Sequence, residues 1–303
     1  MGRKLEYSIG AEWTDKTVRE YMRHIGFSEK NITVLKRHPD AVLINNEPAL
    51  LKDRFREGDI FTVSMVEEKI SEKIPAVKLP FPIVYEDEDI VVVNKPSGMP
   101  VHPSLNNYEN SLGNAAAWYF KDNKEPFVYR CINRLDRDTT GLTILAKHML
   151  SASVLYDEMT SRDIKREYVA IVQGNDIRDE GIVDKPLGKK PDSGIERMVD
   201  YVNGERAITH YKVLERYDDN YALMSFYLET GRTHQIRVHM ASMGWPLVGD
   251  FLYNPGNTDM TRQALHAGKL EFYHPVTGKL MSFEAKIPED MKEFIEKIKG
   301  EET

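Results

Sequence analysis

The chain has 303 residues, a single cysteine (Cys131) and a formal net charge of −7 at pH 7. That length supports a sizeable core without cross-links, and one cysteine excludes a disulfide framework and any cysteine-built zinc site. No apolar run nears membrane-spanning length and the opening MGRKLEYSIGAEW lacks a secretory signal's apolar core, so a reducing, cytoplasmic setting with no membrane partner is expected.

In chain order, Thr14-Asp15 can cap a helix carrying Val18, Tyr21, Met22 and Ile25 up to Gly26. A second short helical piece over Ile32 to Arg37 follows, then a turn at Pro39-Asp40, alternation over Ala41 to Asn45, and Ile60 to Val63 after Gly58-Asp59. Two short helices and a few short strands make a small module. The stretch Glu67 to Pro82, EEKISEKIPAVKLPFP, is charged and then proline-punctuated, poor material for packing. It sets the expected division: a module over 1–68, a linker over 69–80 and a larger domain over 81–303.

In the larger part strands alternate with helices. Ile83 to Tyr85 and Ile90 to Val93 flank an acidic turn, and Ser111 to Phe120 and His148 to Met159 have helical spacing. Leu142 to Ala146 reads as a buried strand and Glu167 to Val172 as an alternating one. Ala207 to Leu214 and Tyr221 to Glu229 bracket the turn Asp218-Asp219-Asn220, and Leu265 to Phe272 forms a hairpin with Leu280 to Ala285. An amphipathic helix, Glu289 to Lys299, closes the chain.

Chemistry concentrates in a few segments. Asn133 to Gly141, NRLDRDTTG, brackets Asp136 between Arg134 and Arg137 just before a buried strand. Flanking guanidinium groups hold a carboxylate ionised and attract anions, and a strand end is a rigid mount; a solvated charged turn would look the same. Gly231 to Met240, GRTHQIRVHM, follows a strand and opens a helix. Its histidines, His234 and His239, are five apart, whereas a metal-binding helix face needs three or four, so no metal is expected. Arginines at a helix start can instead collect phosphate, or Arg237 can point inward to a carboxylate such as Asp136. The loop Asn94 to Pro103, with three prolines and a glycine, is shaped rather than floppy, and Lys95 and His102 can reach a ligand from it. Tyr168 follows Lys165-Arg166 on a strand, and Lys185 to Arg206, with Lys189 and Lys190, is long and polar.

Together these segments resemble the RluA family of large-subunit-rRNA and tRNA pseudouridine synthases. Asn133 to Gly141 is similar to that family's aspartate motif, Asn94 to Pro103 to its Asn-Lys-Pro-x-Gly loop, and Gly231 to His239 to its Gly-Arg-Thr-His-Gln-Ile-Arg-Val-His segment. Pro246 to Asp250, Leu265-His266-Ala267 and His274-Pro275 match its C-terminal signatures, and the first 66 residues look like an alpha-L RNA-binding module. Asn133 stands where the family usually has His, Thr140 where it has Ser, and Arg166 where a Lys is common.

The resemblance implies an α+β, pseudouridine-synthase fold: a central, mostly antiparallel mixed β-sheet flanked by helices, plus a small N-terminal α/β RNA-binding domain. It implies an isomerase turning uridine into pseudouridine in structured RNA, first in large-subunit rRNA and alternatively in tRNA, as a monomer with no cofactor. Asp136 would act on the ribose, Tyr168 stack on the base and Arg237 pair with Asp136. Lys95, Arg134, Arg137, Arg232, His234, Lys189 and Lys190 would meet the RNA, concentrating basic groups on one face of an acidic chain. Rival readings are an RNA-binding assembly factor without catalysis and a metal-dependent phosphohydrolase.

Overall fold

Short alternating strands and continuous apolar ones build three sheets in the computed structural model, which describes residues 2–67, 74–122, 128–217 and 220–300. The last residue of the expected module (68), the first part of the expected linker (69–73) and two residues of the turn expected at 218–220 (218 and 219) lie outside the described residues.

The first sheet has four antiparallel strands in the order β1-β4-β2-β3, from β1 (Lys4–Ser8), β2 (Val42–Ile44), β3 (Glu47–Pro48) and β4 (Ile60–Ser64). Two helices, α1 (Val18–His24) and α2 (Glu29–Leu35), share its core. The cap of α1 is Thr17 rather than Thr14-Asp15. Asp15 takes a left-handed turn (φ 63°), and Thr17 and Glu20 exchange side-chain and backbone hydrogen bonds in a capping box. Strand β1 was not expected: Leu5 and Tyr7 are too few apolar positions to set a period, and its place comes from pairing with β4.

The second sheet has nine strands. In the order β5-β6-β7-β14-β8-β13-β12-β9 they are β5 (Ile83–Glu86), β6 (Ile90–Lys95), β7 (Thr140–Ala146), β14 (Leu265–Tyr273), β8 (Lys165–Gln173), β13 (Tyr221–Leu228), β12 (Ile208–Tyr217) and β9 (Glu180–Asp184). The ninth, β15 (Leu280–Glu284), pairs with β14. Every pairing is antiparallel except β7 with β14, so this is the mostly antiparallel mixed sheet of an α+β fold. The segment Lys185 to Arg206 is not an irregular loop: β10 (Leu187–Lys189) and β11 (Arg197–Val199) form a hairpin, anchored where Leu187 and Val199 meet Val238.

Strand alternation assigns the two faces. Tyr168, Ala170 and Val172 of β8 share a core with α3 (Leu112–Tyr119) and with Ile236 and Met240 of α5 (Gln235–Ser242). Ile171 points the other way, toward Met291 and Phe294 of α6 (Glu289–Gly300). On that same side Leu142, Ile144 and Ala146 of β7 pack on α4 (Met149–Ser161). The first two residues of α4, Met149 and Leu150, also belong to the core of the N-terminal sheet. Among the described residues no helix is long and apolar enough to cross a membrane.

Candidate active site

Asp136 lies in the loop that enters β7, and buried polar side chains fix that loop. Asn133 spans it: its Nδ2 donates to Leu142 O at 3.0 Å and its Oδ1 accepts from Ile144 N at 2.9 Å. Thr143 Oγ1 donates to the Asn133 carbonyl at 2.7 Å. An amide offers a donor and an acceptor, and both are used on the β7 backbone. Thr140 keeps the hydroxyl that a serine would supply, 2.8 Å from His266 Nδ1. Next to it Gly141 has φ +116°, and a Cβ there would overlap the backbone of Ala267 on parallel β14.

Lys95 corrects a sequence expectation. Rather than facing RNA, it is fully buried, and its Nζ donates to Pro96 O (2.8 Å), Met99 O (2.8 Å) and Arg137 O (2.9 Å). Three carbonyls match the three N–H bonds of an ammonium and tie the Pro96–Pro103 loop to the Asp136 loop. Burial pushes this ammonium down from its ordinary 10.5 to about 7.

Arg237, one turn into α5, is 3 % exposed and points inward. Its Nε and Nη2 grip the buried Asp250 at 2.7 and 2.8 Å, and its Nη1 donates to Asp136 Oδ2 at 3.0 Å. Burial works against its charge, but Asp250 first and Asp136 second outweigh this and raise its pKa above the ordinary value. The guanidinium also lies 5.2 Å from the Tyr253 ring centre. Gln235 fixes the turn before it, accepting from Thr230 Oγ1 (2.8 Å) and Arg232 N (3.0 Å) and donating to Ile208 O (2.9 Å).

His234 caps α5 in a left-handed conformation, with Nε2 3.9 Å from Asp136 Oδ2 and Nδ1 2.9 Å from Tyr253 Oη. Tyr253 Oη also accepts from Arg197 N at 2.8 Å, so the same hydroxyl ties His234 to the Arg197 backbone. Burial lowers the His234 pKa against the pull of Asp136. That shift disfavours a charged contact from His234 to an RNA phosphate.

The side chain of Asp136 is 23 % exposed and opens into a cavity of about 220 Å³. Its walls include Leu135, Arg166, Tyr168, Leu228 and Ile236. That volume is below the roughly 300–1,000 Å³ of sites for drug-sized ligands and suits one planar ring. A wider cleft adjoins it, lined by His102, Arg134, Arg137, Ile195 and Phe251, again with Asp136 at its floor.

The expected RNA-facing cations are mostly paired. Arg137 meets Asp138 (2.8 Å), Arg232 meets Glu205, and Lys190 meets Glu196 (2.6 Å). The side chains of Arg134 and Lys189 are exposed and make no hydrogen bond or ion pair among the described residues. One group of potential metal ligands occurs there, Asp87, Asp89 and His274, outside both cavities. Its atoms are engaged: His274 Nε2 with Asp87 (2.9 Å), and Asp89 with Arg3 and His148 (2.9 Å each). His239 spends both nitrogens on Thr209 Oγ1 (2.8 Å) and Lys185 O (2.9 Å).

Residues 89–242, a little over half of the chain, match the family model described as RNA pseudouridylate synthase. The chain belongs to the RluA-type RNA pseudouridine synthases. The synthase is 39 % identical to the uncharacterized RNA pseudouridine synthase YjbO of Bacillus subtilis, over 94 % of this chain and 99 % of that one. It is 40 % identical to the ribosomal large subunit pseudouridine synthase D of Vibrio cholerae, over 78 % of this chain and 76 % of the relative. In fold it is similar to human RNA pseudouridylate synthase domain containing 4 (TM-score 0.58, 24 % identity, 72 % of this chain and 92 % of that one). The synthase is thus an isomerase that converts uridine to pseudouridine in RNA.

Sequence reasoning missed Asp250 as the main partner of Arg237. The two are 13 residues apart, across a turn of the chain, and no periodicity links them. It also missed the Asn133 clamp and Tyr253, whose roles exist only once β7 and the Asp250–Tyr253 turn are folded.

Proposed function

We propose that the synthase modifies large-subunit ribosomal RNA, with Asp136 carrying the reaction and residues 1–68, joined by a linker over 69–80 to the synthase domain at 81–303, serving as an added RNA-binding module. The observation that carries the assignment of Asp136 is the Arg237–Asp136 contact at the mouth of a ring-sized cavity walled by Tyr168. The target class rests on relatives named for the large ribosomal subunit, such as the one from Pasteurella multocida, 40 % identical over 74 % of this chain.

In this reading a uridine is flipped from its stack, at a cost of a few kcal/mol, and its base enters the cavity. Stacking on Tyr168 returns about 1–3 kcal/mol. Held by Arg237, the Asp136 carboxylate acts as nucleophile at C1′ or as base at C2′. The N1–C1′ bond breaks, the ring turns, and C5 bonds to C1′ with loss of the C5 proton. Both bonds belong to the substrate, so the chemistry calls for no cofactor. Arg134, Arg137 and Arg232, which line the cavity or the adjoining cleft, and Lys189 and Lys190 of the β10–β11 hairpin segment serve phosphates in this reading; for the paired ones, a phosphate must displace a carboxylate. We take the enzyme to act as a cytoplasmic monomer.

The test is pseudouridine mapping of total RNA from cells with and without the gene. Sites lost from large-subunit rRNA and restored by the wild-type gene are expected. Loss confined to tRNA would overturn the target class.

A further inference from the structure

Four arginines line the cavity at Asp136: Arg134, Arg166, Arg232 and Arg237. Arg237 lies between two carboxylates, Arg232 lies beside Glu205, and Arg134 stands out in solvent. Arg166 has no such account. Its side chain is half-buried, makes no hydrogen bond or ion pair among the described residues, and its Nε is buried with no acceptor. A guanidinium N–H withdrawn from water without an acceptor is costly, so an orphan of this kind calls for an acceptor supplied from outside.

Its position says which acceptor. Arg166 precedes Tyr168 by two on β8, so the two side chains share a face, about 7 Å apart along the strand. Both wall the same cavity. Gly231 lines the same cavity beside the guanidinium: a Cβ there would lie in van der Waals contact, 3.4 and 3.5 Å, with its two terminal nitrogens. A phosphate keeps its hydration and stays at the rim, near Arg134. What enters a space of about 220 Å³ beside Tyr168 is the base.

We propose that Arg166 hydrogen-bonds a carbonyl oxygen of the flipped uracil and stabilises the anion that the base becomes when its bond to the ribose breaks. This rests on the reading of Asp136 above but not on which course Asp136 takes. As nucleophile, its carboxylate bonds to C1′ while the N1–C1′ electron pair stays on uracil. As base, it takes the C2′ proton, a C1′–C2′ double bond forms, and the same pair stays on uracil. In both courses the negative charge spreads over N1 and the carbonyl oxygens. Bonding of C5 to C1′ then releases the carboxylate, or returns the C2′ proton, and the C5 proton departs. The atoms balance without a co-reactant.

The experiment compares wild type, Arg166→Gln and Arg166→Lys in single-turnover conversion and in RNA binding. Loss of one preorganised donor to a developing anion predicts a saturating rate down about 100-fold in R166Q. The RNA Kd should stay within about threefold, and R166K should recover part of the rate. A raised Kd with a wild-type saturating rate would make Arg166 a phosphate grip and overturn the proposal. So would a variant indistinguishable from wild type. A purely structural role is separated by a target of 5-fluorouridine, whose ring carries negative charge more easily. The gap between wild type and R166K in breaking the N1–C1′ bond should shrink on it; an unchanged gap contradicts the proposal. Absence of conversion by the wild type itself would instead remove the reading of the whole site.

Discussion

Arg237 reaches Asp136 with one nitrogen while its other two grip Asp250, so the orientation of the guanidinium is set before any RNA arrives. Neutralising Asp250 should therefore harm both stability and rate. We expect Asp250→Asn to cost about 3 kcal/mol in urea unfolding, because a buried guanidinium loses its closest anion. Misplacement of the pair should slow single-turnover conversion by about 100-fold with RNA binding retained. A variant with wild-type rate would show that Arg237 does not need Asp250. Lys95 gives a pH signature. Its proton is held with a pKa of about 7 in the folded chain and an ordinary 10.5 when unfolded. Between those values the unfolded chain binds more protons, so this group adds stability as pH rises from about 7 toward 10.5, and its penalty is whole below 7. Lys95→Met should be less stable throughout, and its deficit relative to wild type should widen across that window. Denaturation midpoints against pH test this; a deficit that narrows would contradict it.

At the level of elements, β7 decides where Asp136 stands. Its parallel contact with β14 brings Gly141 against Ala267, a fit only glycine allows. Gly141→Ala should destabilise the chain by roughly 2–4 kcal/mol, through positive φ and backbone overlap together. A thermal melt unchanged from wild type would contradict this placement. Much of the element pattern was legible beforehand. The apolar run Leu142 to Ala146, the helical spacing of His148 to Met159 and the hairpin around Pro275 all carry local periodicity, and the structure keeps them. What was not legible depends on distant pairing. Strand β1 needs β4, the β10–β11 hairpin needs Val238 beneath it, and Lys95 looks like a surface cation until three carbonyls close around it. The motif residues of the site were visible because they cluster in two short segments; Asp250 gains meaning only from its bonds to Arg237, and Arg166 only from the cavity it lines.

Over the whole molecule, an acidic chain must bind a polyanion. The structure sharpens that difficulty, since Asp138, Glu205 and Glu196 offset Arg137, Arg232 and Lys190 on the spot. Few free cations then remain near the mouth. RNA affinity should still fall with salt, but Arg134→Ala should reduce the log–log slope by about 1, as expected for one lost phosphate contact. Lys95→Met should leave the slope unchanged, because its ammonium is internal. Equal slope changes in both would mean that Lys95 reaches the RNA after all. The N-terminal sheet is part of this whole: Met149 and Leu150 lie in its core, and Arg3 bonds Asp89 at 2.9 Å, so the module packs on the synthase sheet.

All of this turns on one carboxylate. The direct measurement is conversion of a target RNA by wild type and by Asp136→Asn, read as pseudouridine formed per enzyme after a single turnover, with RNA binding measured alongside. We expect conversion by the wild type, none by D136N, and Kd values within about threefold of each other, since the side chain keeps its shape and loses only its charge and basicity. Pseudouridine formed by D136N at a rate near wild type would contradict the assignment of Asp136.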